Sequence, residues 1–325
     1  MSKRLVIVIV AAIAIVASAL IYSSNYFFKQ EKLVIATTTS LYDTGLLDIL
    51  AEEFEKDYGI KVSFISVGTG LAIEHGKRGD VDMIIVHAPR LEFRFLQDGF
   101  GVNRKIIAYN FFVIAGPKDD PANIKGMNLN DGLKMLVKEG RKNPDKVKWV
   151  SRGDKSGTHM KEIYLWRLAG FDADSIKKEK WYLESGTGMG KTLIIANEKD
   201  AYTLTDVGTY LKYKKDELIQ LETIIGKSKE LLNVYSAIIV NPNKHEINFE
   251  NAKKFIKFLL SEKGQKIIEE FKKDEYGVNL FNSISKLVEK GEEGRRIISW
   301  IKELATLNGE ECPKEYRYKA DDLYL

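Results

Sequence analysis

Apolar positions in this chain recur in one order. A short unbroken run comes first, then a turn rich in hydroxyls or glycine, then apolar residues three or four apart. Leu33-Val34-Ile35-Ala36 has the continuity of a buried strand. It passes through Thr37-Thr38-Thr39-Ser40 and Leu41-Tyr42-Asp43-Thr44-Gly45 into Leu46, Leu47, Ile49, Leu50 and Phe54, which fall at helical spacing. Val62 to Val67 repeats the pattern, running into Gly68-Thr69-Gly70 and a helical start at Leu71-Ala72-Ile73. Gly79-Asp80 leads a third strand that closes at Val86 and is followed by His87-Ala88-Pro89-Arg90. Two longer extended runs, Ile106 to Gly116 and Leu231 to Val240, lie far apart and each ends near a proline, Pro117 or Pro242. Strands of that kind can cross between two lobes as hinges.

Between them the spacing predicts helix 130–139, strand Val147-Lys148-Trp149-Val150 and helix 157–168. Trp181 to Glu184 follows, then Gly186 to Gly190 with a helical run to Asn197, then a strand and turn at Ala201 to Asp206. Ala252, Phe255, Ile256, Phe258 and Leu259 place helices in 243–280. Ile297, Ile298, Trp300, Ile301 and Leu304 mark a last helix. Strands alternating with helices predict an α/β fold.

The N-terminus is of another kind. Lys3 and Arg4 precede Leu5 to Tyr22, an uncharged apolar run that suits a signal-peptide core or a marginal membrane span. The basic flank comes first, which puts the rest of the chain outside the cytoplasm. Ala17-Ser18-Ala19 resembles a cleavage site, so the chain is expected either secreted or held at the outer face of the membrane. Cys312 is the only cysteine, which leaves no lipid-attachment cysteine after the apolar run and no internal disulfide.

Composition narrows the rest. The 325 residues are 44% hydrophobic and 30% charged, which is globular, with a net charge of +4 that gives no support for nucleic-acid binding. The candidate chemistry is concentrated in Ser151-Arg152-Gly153-Asp154-Lys155-Ser156-Gly157-Thr158-His159, just ahead of an apolar helical pattern. A helix start has unpaired N–H groups and the positive end of the dipole, so with an arginine beside it a small anion can be held. The same residues can equally serve as a plain N-cap. With Thr37–Ser40 and Gly68–Gly70, three such turns could converge beyond the carboxyl ends of strands on one anion. Gly186 to Thr192 lacks the first glycine of a phosphate-cradling loop, since Ser185 stands there. His75, His87, His159 and His245 show no metal-ligand spacing and suit surface or capping roles. Ser156 is not in a nucleophile elbow. No enzyme and no cofactor is expected. A phosphate-ester enzyme using Arg152 as a clamp and a membrane-held sensor are the alternatives from other classes.

These residues together resemble the tungstate-binding periplasmic proteins of ABC transporters, over roughly residues 33 to 281. The likeness rests on Ala36–Ser40, Val67–Gly70, Val86–Arg90, Ser151–His159, Gly188-Met189-Gly190 with Thr192-Leu193, and Ala201–Asp206 with Gly208-Thr209-Tyr210. It implies a two-lobed, type II (Venus flytrap) periplasmic-binding-protein fold with hinge strands, preceded here by the N-terminal apolar helix. The expected division is 1–32 signal or anchor and tether, 33–115 plus 232–281 lobe I, 116–231 lobe II and 282–325 a C-terminal extension. The implied ligand is tungstate, with molybdate its neighbour and phosphate or sulfate the alternatives. The implied contacts are Thr38, Thr39, Ser40, Thr69 and Gly70 from lobe I, and Arg152, Ser156, Gly157, Thr158, Thr203 and Thr205 from lobe II. A permease with its ATPase is the implied partner, and a monomer is expected. Asp154 is expected to orient Arg152 or cap the helix rather than to face the ion.

Overall fold

A computed structural model describes residues 31–324, so the reading of the N-terminal apolar helix lies outside the described residues. Among the described residues no helix is long and apolar enough to cross a membrane.

The chain opens with β1 (Lys32–Thr38), the single turn α1 (Thr39–Tyr42), α2 (Leu46–Tyr58), β2 (Lys61–Val67), α3 (Thr69–Arg78), β3 (Met83–Val86) and α4 (Pro89–Gln97). β1 lies parallel to both β2 and β3, so the helices between them cover the sheet faces. β4 (Gly101–Gly116) is the long crossing strand. Its first part, Gly101 to Phe111, pairs antiparallel with β9 (Leu232–Val240), which also pairs with β3. From Phe112 to Gly116 it pairs instead with β7 (Thr203–Asp206) and β8 (Glu222–Ile225). One strand thus belongs to the sheets of both lobes, and β9 brings the chain back beside it.

The second lobe adds α5 (Leu129–Lys142), β5 (Trp149–Ser151), α6 (Gly157–Leu168), the turn α7 (Ala173–Ile176), β6 (Tyr182–Glu184), α8 (Met189–Glu198) and α9 (Val207–Lys215). Its core is aromatic, with Trp149, Trp166, Trp181 and Tyr202 buried together. The first lobe's core is aliphatic and phenylalanine-rich, built from β1, β3, α2 and the later helices α10 (Phe249–Leu260) and α11 (Glu262–Glu270). Phe54, Phe255 and Phe258 meet there at ring-centroid distances of 4.9 and 5.5 Å from Phe54.

The chain then runs through α12 (Lys273–Tyr276), β10 (Asn282–Ser283) and α13 (Gly291–Ala305). α13 buries Ile297, Ile301 and Ala305 against Ile106 and Tyr109 of β4 and Leu232 and Val234 of β9. It therefore backs the crossing strands. The tail beyond it is fastened to the first lobe at Asn103 and Arg104. Asn103 Nδ2 donates to the Tyr318 carbonyl, and the Tyr318 amide donates back to Asn103 Oδ1.

Several elements go beyond the sequence reading, among them α7, α9, β8 and β10. β4 starts five residues ahead of its apolar run (106 − 101), because buried Asn103 and Arg104 interrupt the apolar pattern while keeping the extended backbone. α4, with Pro89 in its first turn, was not anticipated; it buries Phe93, Phe95 and Leu96 beneath a charged surface.

Candidate functional site

Three chain segments read as hydroxyl or glycine turns lie at helix starts, as their cap chemistry dictates. Thr38 caps α1 by accepting from the Leu41 amide at 3.4 Å. Thr39 is half-buried and Ser40 buried. α3 starts at Thr69 after Gly68, which has no side chain to cap it, so the amides of its first turn have no side-chain acceptor. α6 is capped by Ser156, whose Oγ accepts from the His159 amide at 3.3 Å.

The arginine loop ahead of α6 is held from below. Glu162, buried on α6, accepts four hydrogen bonds: from Trp149 Nε1 (2.8 Å), Trp166 Nε1 (3.1 Å), the Tyr182 hydroxyl (2.6 Å) and the Ser151 hydroxyl (2.8 Å). Burial raises its carboxyl pKa, and these donors oppose that shift. Ser151 Oγ in turn accepts from the Gly153 amide at 3.2 Å. The loop turns through two left-handed residues, Gly153 (φ 63°) and Lys155 (φ 57°). A side chain at 153 would also press on Glu184, 2.9 Å from its Cβ, so glycine is required there. Asp154 takes the first role expected of it, pairing with Arg152, while the cap of α6 is Ser156. Its Oδ2 accepts from Arg152 Nη2 at 2.5 Å and its Oδ1 from the Ser156 amide at 3.1 Å.

The two lobes meet at Gly157. A Cβ at that position would lie 3.0 Å from Thr69 Oγ1 and 3.2 Å from His87 Nε2, so the starts of α3 and α6 face each other closely across the cleft, and any larger side chain would have to push these neighbours aside. Around this point three buried polar atoms have no hydrogen-bond partner: Thr69 Oγ1, Arg152 Nε and Thr158 Oγ1. Their residues are 0%, 4% and 1% exposed. Buried polar groups are nearly always paired, so three unpaired groups that can all donate, on facing elements, describe a seat for an acceptor. Gly70 lies beside Thr69 in the first turn of α3, with open space where a Cβ would be.

Thr203 and Thr205, expected among the ion contacts, have hydroxyls engaged by backbone. Thr203 donates its hydroxyl to the Val150 carbonyl at 2.8 Å, and Thr205 to the Asp206 carbonyl at 3.1 Å. Both sit in β7 with their protons already committed to backbone. Asp206, the other carboxylate near the seat, caps α9: Oδ1 accepts from the Thr209 amide and Oδ2 from the Thr209 hydroxyl. Burial pushes its carboxyl up, while Thr209 and the Arg152 charge pull it down. A cavity of about 250 Å³ opens beside Ser40, between Asp43 and Thr44 of the first lobe and Gly208, Lys212 and Tyr213 of the second.

His87 corrects the surface or capping role expected of the histidines. It is 6% exposed, between the rings of Tyr235 and Phe112, with Nδ1 2.9 Å from Asn233 Oδ1. Burial pushes its pKa down to about 4, with Asn233 opposing and the Arg152 and Lys161 charges adding to the depression. Its place just past the carboxyl end of β3 was the available signal, because ligands in open α/β sheets sit there.

A family model described as the PBP superfamily domain matches residues 28–263. The chain belongs to the PBP superfamily. Among its PBP-superfamily relatives, the tungstate-binding protein TupA of Peptoclostridium acidaminophilum is 44% identical over 245 residues, covering 75% of this chain and 82% of that one. The solved structure of the tungstate ABC transporter from Geobacter sulfurreducens is 45% identical with a TM-score of 0.65, covering 74% of this chain and 98% of that one. The tungstate-binding protein TupA from Desulfovibrio alaskensis G20 is 42% identical with a TM-score of 0.68, covering 78% and 98%. The two-lobed α/β architecture of the PBP superfamily is therefore the fold of this chain, and the matched model stops at residue 263, ahead of α13 and the tail.

Proposed function

We propose that this chain is an extracytoplasmic solute-binding protein that captures tungstate, with molybdate its nearest competitor, and delivers it to an ABC permease driven by its ATPase. The observation that carries the reading is the set of unpaired donors, Thr69 Oγ1 on one side of the cleft and Arg152 Nε and Thr158 Oγ1 on the segments flanking Gly157, which meets Thr69. Tungstate at neutral pH is a dianion without protons, so it accepts hydrogen bonds and donates none. A seat made of donors matches it. Monohydrogen phosphate must donate one proton and gains from a free carboxylate. Here Asp154 and Asp206 already accept from Arg152, Ser156 and Thr209, which favours the unprotonated ion.

In this reading Thr38, Thr39, Ser40, Thr69 and Gly70 contribute hydroxyls and first-turn amides from one lobe, and Arg152, Ser156, Gly157 and Thr158 from the other. Thr203 and Thr205 support the floor beneath them. An ion that touches both lobes only when they are closed stabilises the closed form, and the permease reads that form. The lobes are taken as 33–115 with 232–281 and as 116–231, except that residues 112–115 pair with the second lobe's strands. No cofactor and no catalysis are part of the proposal; it takes the protein to work as a monomer held outside the cytoplasm by, or released from, residues 1–32.

Calorimetric titration of the purified protein with tungstate, molybdate, sulfate and phosphate tests this. Tight tungstate binding with phosphate silent is the expected result. Arg152→Ala should weaken tungstate binding by about 2–5 kcal/mol, or roughly 30-fold to several thousandfold. Phosphate binding with tungstate silent would reassign the ligand.

A further inference from the structure

We infer that His87 belongs to the anion seat and takes up a proton as the oxyanion binds, giving the cleft its second cation. This rests on the seat proposed above, but its argument starts from a separate hydrogen-bond chain.

The chain ends on a group that can only accept. Asn110 Nδ2 donates to the Leu280 carbonyl at 3.2 Å, which turns Asn110 Oδ1 toward Asn233. Asn233 Nδ2 then donates to Asn110 Oδ1 and to the Tyr235 hydroxyl oxygen, both at 2.9 Å. Both amide protons of Asn233 are engaged, so the atom it presents to His87 is its carbonyl oxygen. His87 Nδ1 must therefore carry a proton and donate. In the neutral ring the bare nitrogen is then Nε2. That atom lies 3.2 Å from the position of a Gly157 Cβ, beside the unpaired Thr69 hydroxyl, at the meeting point of α3 and α6.

A lone pair held there is matched to the empty seat and mismatched to a dianion that has no proton to give. Two acceptors would face each other, unless Nε2 becomes protonated and donates. The charge balance points the same way. Arg152 already shares its charge with Asp154 and the nearby Lys161 ammonium is engaged by the Leu232 carbonyl, so a dianion would enter with less than its full countercharge. A buried charge needs a partner. A proton on Nε2 supplies one and makes a charge-assisted hydrogen bond.

The surroundings keep the proton off until then. Tyr235 and Phe112 pack the ring, and the charges felt at His87 are the cations Arg152 and Lys161. The Lys161 ammonium donates to the Leu232 carbonyl at 3.0 Å. Burial holds the His87 pKa near about 4, so the ring is neutral at pH 7, and a bound dianion reverses the local field. Asp206 and Asp43, which also feel the Arg152 charge, and Lys161, whose burial lowers its pKa to about 8, are the competing sites for a proton.

Tungstate titrations of the purified protein in buffers of different ionisation enthalpy, between about pH 6.5 and about pH 8.5, count the protons taken up. At the acid end the wild type should take up close to about one proton per ion, with affinity rising up to about tenfold per pH unit lowered. His87→Asn keeps a donor for Asn233 in place of Nδ1 and removes Nε2. It should lose the uptake and flatten the pH profile, while Asp206→Asn keeps both. The imidazole nitrogens of the labelled wild type give a readout that needs no variant: one histidine should pass from the Nδ1–H neutral form to imidazolium on adding tungstate. Binding without proton uptake, uptake unchanged in His87→Asn, or uptake lost only in Asp206→Asn would each overturn the inference and leave the tungstate reading standing. Failure to bind tungstate at all would overturn both.

Discussion

Two buried arginines in this chain have opposite surroundings. Arg104 is 0% exposed on β4. Its Nε donates to Glu92 Oε2 at 2.8 Å and its Nη1 donates to the carbonyls of Ala305 and Glu311 at 3.0 and 2.8 Å, while its Nη2 stands 2.8 Å from the same Glu92 oxygen in an ion pair without a hydrogen bond. The Phe93 ring packs on the guanidinium, 4.6 Å away. Arg152 is 4% exposed at the end of β5, with one carboxylate on Nη2 and an Nε that donates to nothing. Each guanidinium has an acid beside it, but only the first is also enclosed by carbonyls from a distant part of the chain. Each also keeps one nitrogen without a hydrogen bond, so what separates the arginine that ties the fold together is its anchoring to carbonyls of the distant tail, more than burial. Arg104 joins the tail to the first lobe, and Arg152 is the cation of the proposed seat.

Arg104→Ala should produce the largest loss of stability. It strands Glu92, whose carboxyl burial already pushes up and Arg104 pulls down, and a broken buried pair costs about 3–5 kcal/mol. The pH dependence has a definite sign. Without the guanidinium, the Glu92 pKa rises further above its unfolded value, so protonation stabilises the folded variant. The deficit should be greatest near neutral pH and shrink as pH falls toward the ordinary carboxylate range. Thermal unfolding across pH checks this. The tail should become protease-sensitive at the same time, since Ala305 and Glu311 lose their donor. Arg152→Ala should move the melting temperature little in the absence of oxyanion. An equal loss of stability in both variants would break the comparison.

Glu162→Gln comes next. Glutamine keeps one acceptor oxygen and brings an NH₂ against groups that are all donors, Trp149, Trp166, Tyr182 and Ser151. The folded protein should lose about 1–3 kcal/mol. Tungstate affinity should also fall, because Ser151 steadies the Gly153 amide next to Arg152. Lost stability with full affinity would show that the Glu162 cluster serves the aromatic core alone.

Much of this was legible in the sequence, for reasons that differ by element. A continuous apolar run located β1, apolar runs broken by Ser63 and Ser66 and by Asn233 and Ser236 located β2 and β9, and a group of cap candidates ahead of helical spacing located α6 over the residues the structure assigns it. Polarity misled where polar groups pair internally. Asn103 and Arg104 interrupt the apolar pattern of β4, yet both are buried because the tail, more than two hundred residues later, supplies their partners. The burial of His87 was hidden for a similar reason, since its partner Asn233 comes from the returning hinge strand, although its place past the end of β3 could be read. The threonines of the turns were visible as a class. Which of their protons are free is a tertiary fact, decided for Thr203 by the Val150 carbonyl.

That last contrast allows the smallest and sharpest comparison. Thr158 and Thr203 are both threonines of the second lobe, each 1% exposed, one unpaired and one committed. Valine nearly preserves their shape and removes only the hydroxyl. Thr158→Val deletes an unpaired buried group, so the empty protein should keep or slightly gain stability. It should then bind tungstate more weakly by about 1.5–3 kcal/mol, the range for a hydrogen bond to a charged group. Thr203→Val breaks an internal bond and should cost about 0.5–1.5 kcal/mol of stability, with affinity within about twofold of the parent. Paired unfolding and titration measurements on the two variants decide it. If Thr203→Val lost affinity and Thr158→Val did not, the Thr203 hydroxyl would have to leave Val150 for the ion on closure, and the unpaired atoms in this structure would no longer outline the seat.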